Sequence, residues 1–346
     1  MRKYRIIVWA LVALATIVSC NRSADISENA RETITVRNLG ADIPAYVYGN
    51  TASKAFIIIV HGGPGGNGLE YRGYYSKELE KDYAVVYTDQ RGQGSAHGHY
   101  GKEDVTIDNM VSDLEVLFRA LKDRYGADAS LFMMGHSWGG TLGSAYMIKD
   151  DLQYLLKGWI EVDGAHDIPM LNRAAIGMYI SYAKKEIAAG KNTDRWQEIL
   201  DFASAVDTTK EIPDSTGGRI NQYGHEAEGL LDEVVRSELS SGDAAGLFRQ
   251  NMLTSTISGS FTSGQLNAEV ESTSLTDQLY KIEIPSLFLW GRHDFVVPPR
   301  LGAAGYQEVS STHKKLVYFE KSGHSPMDNE PEKFIQEVQS FVEAYK

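Results

Sequence analysis

Gly135-His136-Ser137-Trp138-Gly139-Gly140 is the stretch whose reading decides the fold of this chain. It has the form G-x-S-x-G, and its flanks matter as much as its letters. Ser130-Leu131-Phe132-Met133-Met134 before it is an apolar run, and Thr141-Leu142-Gly143-Ser144-Ala145-Tyr146-Met147 after it suits a helix. Strand, tight turn and helix in that order put Ser137 at a strained apex with its hydroxyl exposed. Small residues on either side let strand and helix approach closely. Alone, G-x-S-x-G is a pattern that chance supplies often. In this context it reads as a nucleophilic serine rather than a plain glycine-rich turn.

Working outward, Phe56-Ile57-Ile58-Ile59-Val60 is a continuous β-branched run, as expected of a strand covered on both faces. It leads into His61-Gly62-Gly63-Pro64-Gly65-Gly66. Tyr83 to Tyr87 is a second such strand, followed by Asp89-Gln90-Arg91-Gly92-Gln93-Gly94-Ser95. Upstream, Thr33–Arg37 and Ala45–Tyr48 alternate like an opening hairpin. Leu69 to Glu80 reads as a helix. Asp108 to Tyr125 is a clear amphipathic one, with Met110, Val111, Leu114, Leu117, Phe118 and Leu121 on one face and Gly126 to end it. Leu155–Val162 is a further apolar run. Strands resume at Pro285–Trp290 and Lys315–Phe319, and Glu330–Ala344 is the last helix. This alternation predicts an α/β fold with a mostly parallel sheet and helices on both faces.

The pattern breaks after Asp163. Helical periodicity appears over 170–189, 196–205, 226–240 and 244–253, with no clean buried strand. Residues 166–279 therefore read as a helical cap inserted into a core formed by 33–165 and 280–346.

The 346 residues are 42% hydrophobic and 23% charged, ordinary for a globular protein, and the net charge of −12 argues against nucleic-acid partners. Met1-Arg2-Lys3-Tyr4-Arg5 is basic, and Ile6 to Val18 is almost wholly apolar. Together they have the form of a secretory signal, too short for a comfortable membrane span. Cys20 is the only cysteine, and Ile17-Val18-Ser19-Cys20 resembles a bacterial lipobox. Residues 1–20 thus read as a signal ending at a lipidated Cys20, with 21–32 as a polar tether. The chain is expected in the bacterial cell envelope, lipid-anchored to a membrane. The alternative is an ordinary cleaved signal and a periplasmic or secreted protein. Loss of residues 1–19 would leave a charge of −15.

A serine hydroxyl needs a base to take its proton, and the base needs a carboxylate to orient it. Of nine histidines, His324 in Ser322-Gly323-His324-Ser325-Pro326 directly follows the last strand. Asp294 in Gly291-Arg292-His293-Asp294 follows the strand before it. The order Ser, Asp, His is the one expected of this fold. A rival acid is Asp163, at the end of the preceding strand. The oxyanion of a tetrahedral intermediate needs two donors. The backbone N–H groups of Trp138 and of Gly63 are the candidates. The glycine run lacks the G-K-[ST] ending of a phosphate loop and the spacing of a dinucleotide fingerprint, so no cofactor is expected. His61 reads as structural. His97 and His99 have no carboxylate cluster to complete a ligand set, and no metal is expected.

Taken together these motifs resemble the α/β-hydrolase fold and, within it, the proline iminopeptidase (prolyl aminopeptidase) family. The resemblance rests on His61-Gly62-Gly63-Pro64-Gly65-Gly66, Asp89-Gln90-Arg91-Gly92-x-Gly94, the Asp113-Leu114-Glu115 helix, Ser137-Trp138-Gly139-Gly140, Gly291-Arg292-x-Asp294 and Gly323-His324-Ser325. It spans roughly residues 45–165 and 280–345. It implies a serine triad, no cofactor, and release of an N-terminal residue from short peptides. It also implies cap glutamates that hold the substrate's amino group. Glu226, Glu228 and Glu233 are candidates, with Glu238 beside them. The chain departs from the family pattern at His136, where a glycine is common, and at Pro326-Met327, where an acidic residue is common. The alternatives are a carboxylesterase or other small acyl or amide hydrolase on the same triad, and a non-catalytic envelope lipoprotein that binds small ligands.

Overall fold

The chain begins its sheet with an antiparallel hairpin, β1 (Ala30–Asn38) and β2 (Ala41–Gly49), paired without interruption from Ala30↔Gly49 to Asn38↔Ala41. Its geometry comes from a computed structural model, which describes residues 24–231, 234, 235, 262, 264, 266 and 268–346. Cys20, Glu233, Glu238, the apolar run 6–18 and the helix expected over 244–253 lie outside these residues. Ala30, Arg31 and Glu32, assigned above to the tether, belong to β1. Pairing with β2 extends the strand past the point where its own apolar alternation fades.

Six strands carry the rest of the core: β3 (Ala55–Val60), β4 (Ala84–Thr88), β6 (Ser130–His136), β7 (Gly158–Val162), β8 (Ser286–Gly291) and β9 (Lys314–Phe319). The short β5 (His97–Gly98) pairs with β2 at the margin. The order across the sheet is β1-β2-β4-β3-β6-β7-β8-β9, parallel from β4 to β9. Successive strand residues serve opposite faces. Phe56, Ile58 and Val60 pack on the side of α2 (Ile107–Tyr125) and α3 (Trp138–Met147). Ile57 and Ile59 pack on the side of α1 (Tyr74–Leu79) and the C-terminal helix. This two-sided burial explains why β3 reads as an unbroken apolar run.

Helix α2 starts where Thr106 accepts the N–H of Asn109 and stops at Gly126, whose φ of 110° few other residues adopt. The helix expected over 69–80 is two pieces. A 3₁₀ turn over Gly68–Tyr71, capped by Asn67, is separated from α1 by Arg72-Gly73.

Between β7 and β8 lie α4 (Ile168–Ala188), α5 (Thr193–Ala205) and α6 (Asp214–Leu230). They enclose a cluster of their own around Tyr179, Trp196, Phe202 and Ile220, and Phe295 of the core joins it. The ends of this insertion are joined at its base: Ile168 N–H donates to Thr273 O at 2.9 Å and Leu275 N–H to His166 O at 3.0 Å. Helix α6 begins at Asp214, well before the expected Glu226. Gly217 and Gly218 disguise its first turns as a loop.

After β8 come α7 (Pro299–Glu308), α8 (Pro326–Asn329) and α9 (Pro331–Tyr345). Helix α7 has no clear helical pattern in its sequence. Its Gly302 and Gly305 dilute the apolar stripe, yet they are needed where Trp290 and Phe288 press against the helix. No helix among the described residues is long and apolar enough to cross a membrane.

Arg91 and Asp113 tie the hairpin to α2. The guanidinium is fully buried and meets the carboxylate twice, Nε to Oδ2 at 2.9 Å and Nη2 to Oδ1 at 2.6 Å. It also donates to the carbonyls of Leu39 and Asn38. Removing one partner leaves a buried charge uncompensated. Asp113→Ala is therefore expected to cost about 3–5 kcal/mol in urea denaturation. A loss under about 1 kcal/mol would mean the pair does not anchor the hairpin.

Candidate active site

Ser137 sits between the last residue of β6 and the first of α3, with φ 56° and ψ −121°. A non-glycine residue holds such a conformation only when its surroundings enforce it. Here Ser137 N–H donates to Val162 O at 3.1 Å, and its carbonyl accepts from Gly140 and Ala165. A side chain at Gly135 would strike the backbone of Gly139. One at Gly139 would strike Val60 and His61. The turn is as tight as the motif requires.

The structure brings Ser137, His324 and Asp294 together. Their loops follow β6, β9 and β8, so three strand ends on one edge of the sheet supply them. His324 Nε2 is 2.9 Å from Ser137 Oγ, and His324 Nδ1 is 2.9 Å from Asp294 Oδ2. Asp294 Oδ1 accepts the N–H groups of Val296 at 2.8 Å and Val297 at 2.7 Å. Burial first, then the charge of Glu228, holds the Asp294 carboxyl well above the ordinary carboxylate range. The two backbone donors on Oδ1 and a hydrogen bond from Asp163 act the other way and favour the ionised form of Asp294. Such an arrangement can draw a proton from the serine and stabilise the imidazolium that results.

The rival acid Asp163 is close by and differently placed. It is fully buried, Oδ1 accepts from Gly291 N–H at 2.9 Å, and its carboxyl hydrogen-bonds that of Asp294. Burial, then the negative charge of Asp294, raises its pKa well above the carboxylate range. A neutral Asp163 stands behind the Asp294–His324 pair and makes no hydrogen bond to the histidine.

Trp138 N–H opens α3 and has no helical partner, so it is free to face an oxyanion at the positive end of the helix. Gly62 N–H is engaged by Tyr71 Oη at 2.8 Å. Gly63, at φ 133°, is thus the next donor along the loop. That loop rests on the elbow: a Cβ at Gly62 would lie 3.2 Å from Ser137 Cβ. His61 is buried, its Nδ1 bonded to Gly62 O at 2.8 Å, and burial lowers its pKa.

Gln90, a letter of the Asp-Gln-Arg-Gly motif, and Gln93, the variable position after it, support the site. Gln90 Nε2 donates to His61 O at 2.8 Å, and Gln90 Oε1 accepts from the Trp138 indole at 2.7 Å and from Gln93 at 3.1 Å. Gln93 Oε1 in turn accepts from Gly65 N–H at 2.5 Å. Asp89 accepts the N–H groups of Gly68 and Ser95. The His-Gly-Gly-Pro and Asp-Gln-Arg-Gly loops are paired in sequence because they are hydrogen-bonded in space.

Of the cap carboxylates, Glu228 turns toward the core. It accepts Phe295 N–H at 3.0 Å and His324 N–H at 3.2 Å. Glu226 does not come to the site. It pairs with Arg195 of α5, 2.8 Å from Nε. Residues two apart on a helix point in different directions, so the two could not share a role. His225 lies edge-on to His324, ring centroids 6.3 Å apart.

His136, Asp163 and His324 place ligand-type atoms within 4.8 Å of one another. They do not fit a resident metal ion. Both ring nitrogens of each histidine are already hydrogen-bonded, so a metal would have to break the arrangement around Ser137. His97, in β5 opposite Asp42, and His99, just after that strand, are both exposed.

With this geometry in view, comparison with known proteins places the chain. It belongs to the alpha/beta hydrolase fold family, whose pattern matches residues 56–331, and it is a hydrolase. It is 26% identical over 307 residues to a probable aminopeptidase of Bacillus subtilis, covering 83% of this chain and 89% of that one. It is 25% identical to a proline iminopeptidase of Saccharolobus solfataricus, covering 89% and 91%. Among solved structures, a proline iminopeptidase of Mycobacterium smegmatis superposes with a TM-score of 0.62 at 16% identity, over 91% of this chain and 98% of that one. The expected likeness to proline iminopeptidases is thereby met.

Gln90→Leu keeps the volume but strips partners from a buried carbonyl and a buried indole N–H. Each such group costs about 1–3 kcal/mol, so the substitution is expected to lower stability by about 2–6 kcal/mol. Urea denaturation measures it, and a neutral result would show the two loops do not depend on this link.

Proposed function

We propose that this protein is a serine aminopeptidase that releases N-terminal residues from short peptides, with Ser137 as nucleophile, His324 as general base and Asp294 as orienting acid. The observation that carries the reading is the unbroken row from Asp294 Oδ2 through His324 to Ser137 Oγ, ending at a strained elbow. In the proposed reaction His324 Nε2 takes the Ser137 proton as Oγ attacks the carbonyl carbon. Trp138 N–H and Gly63 N–H receive the charge that develops on the carbonyl oxygen. His324 then returns the proton to the leaving amine, and water hydrolyses the acyl-enzyme by the same steps in reverse order.

The peptidase assignment draws on the paired loop motifs and on relatives that are themselves described as aminopeptidases. A free amino group brought near the triad needs an anionic partner. Between the described candidates Glu226 and Glu228, Glu228 is the one that faces the triad. Its two oxygens accept Phe295 N–H and His324 N–H, which sets the carboxylate beside the histidine.

Purified protein lacking residues 1–20 is to be assayed on aminoacyl anilides, their N-blocked counterparts and short-chain esters. Turnover of unblocked anilides with little tolerance for blocking is expected. Turnover of esters alone would make the protein a carboxylesterase. Ser137→Ala is expected to remove at least about 10³-fold of the activity, and Asp294→Ala a comparable share. Full activity in Ser137→Ala would refute the triad, and full activity in Asp294→Ala would hand the acid role to Asp163.

The lipobox-like Ile17-Val18-Ser19-Cys20 supports a lipid anchor in the bacterial envelope. Cys20→Ser is expected to move the protein from the membrane to the soluble fraction. Unchanged partition would exclude lipidation at this residue.

A further inference from the structure

His136 is the residue at which the elbow departs from the peptidase pattern, and the proposed reaction gives it no part. Its surroundings are specific. Nδ1 lies 2.6 Å from Tyr71 Oη, and Nε2 lies 2.8 Å from the carbonyl oxygen of His324. Tyr71 Oη in turn receives the N–H of Gly62 at 2.8 Å. We propose that Tyr71 and His136 form a positioning brace that fixes the loop bearing Gly63 N–H and the loop bearing His324 relative to Ser137. The inference rests on the serine-hydrolase reading given above and adds two residues that hold its parts in register.

The direction of every bond follows from its neighbours. A carbonyl only accepts, so His136 Nε2 carries the ring proton. Nδ1 is then an acceptor and takes the Tyr71 O–H. The Tyr71 oxygen keeps its lone pairs for Gly62 N–H. The row runs Gly62 N–H to Tyr71 O–H to His136 Nδ1, then Nε2–H to the His324 carbonyl, with no group idle. It spans the loop after β3, the 3₁₀ turn at Gly68–Tyr71, the end of β6 and the loop after β9. The turn that presents Tyr71 is itself held by Gly68 N–H to Asp89 at 2.8 Å.

His136 is suited to bracing and unsuited to proton transfer. Both its nitrogens are engaged away from Ser137. Burial, reinforced by the nearby His324, lowers its pKa to about 3, so it stays neutral at working pH. The two rings are 4.8 Å apart, and a neutral His136 leaves the single buried cation of the cycle to His324. Gly62, with no room for a side chain between Tyr71 and Ser137, transmits the constraint to the next residue, Gly63. The main chain of His324 is thereby gripped twice, its carbonyl by His136 and its N–H by Glu228.

The test uses Tyr71→Phe, His136→Leu, the double variant and His136→Gln, each compared with the parent by labelling with a fluorophosphonate and by kcat and KM on whichever substrate is turned over. Failure of the parent to label at Ser137 would remove the serine-hydrolase reading and this brace with it. With a labelled parent, each of the two single variants that cut the row is expected to lose about 10–100-fold in labelling rate and in kcat, the scale of a misplaced oxyanion donor or base, while KM stays within about twofold. Because both residues serve one row, the double variant is expected to lose no more than the worse single. His136→Gln, which retains one donor and one acceptor, is expected to recover part of the loss seen in His136→Leu. Labelling at the parent rate in Tyr71→Phe, losses that multiply in the double variant, or a change confined to KM would each overturn the brace. Tyr71→Phe removes one oxygen atom, so it decides the question even if His136→Leu fails to fold.

Discussion

The close approach of strand and helix at the elbow is the constraint on which the rest of the structure depends. Gly135 and Gly139 let the backbone of α3 lie directly on β6 and on the end of β3, where any side chain would collide. That contact forces Ser137 to a φ of 56° and lifts its hydroxyl above the sheet edge. It also brings the loop after β3 against the serine, so that a Cβ at Gly62 would lie 3.2 Å from Ser137 Cβ. The strain at Ser137 is sustained by ordinary main-chain hydrogen bonds to Val162, Gly140 and Ala165. A rigid parallel sheet is what makes such over-determination available.

Much of this was legible in the letters because it depends on periodicity and chain order. Strands buried on both faces read as continuous apolar runs, and β3, β4, β6 and β8 lie where those runs lie. The order Ser, Asp, His names three residues at neighbouring strand ends, and those side chains meet. What stayed hidden depends on rotation and tertiary approach. Glu226 and Glu228 are equivalent as letters, and only the phase of α6 sends one to Arg195 and the other to the core. The starts of α6 and the whole of α7 were masked by glycines whose purpose is contact, since Gly302 and Gly305 make room for Trp290 and Phe288. Tyr71 lies in a turn with no motif, and only distance identifies it.

The two buried aspartates show how burial sorts identical groups. Asp163 and Asp294 end adjacent strands, and both are pushed toward neutrality by loss of solvent. Asp294 receives two backbone N–H groups and the imidazole, which compensate a negative charge. Asp163 receives one N–H, and its protonated carboxyl hydrogen-bonds Asp294. Two carboxylates this close cannot both ionise without large cost. The number of donors therefore decides which one carries the charge, and it favours Asp294. Asp163 in its neutral form still matters, because an ionised residue there would compete with Asp294 for the imidazolium.

The helical insertion is connected to this chemistry through one short segment. Asp294 and Phe295 are consecutive, yet Asp294 faces His324 while Phe295 is buried in the cluster of α4, α5 and α6. Glu228, from α6, accepts Phe295 N–H and His324 N–H with its two oxygens. A shift of α6 must therefore move or release both of the loops that orient the histidine. On the opposite side, His136 holds the same histidine's carbonyl from the rigid end of β6. His324 is thus fastened to the sheet by one bond and to the insertion by the other. Displacement of α6 would act first on the N–H side and leave the sheet side in place. The position of His324 therefore depends on how α6 sits on the core, while Ser137 is held by main-chain bonds to Val162, Gly140 and Ala165.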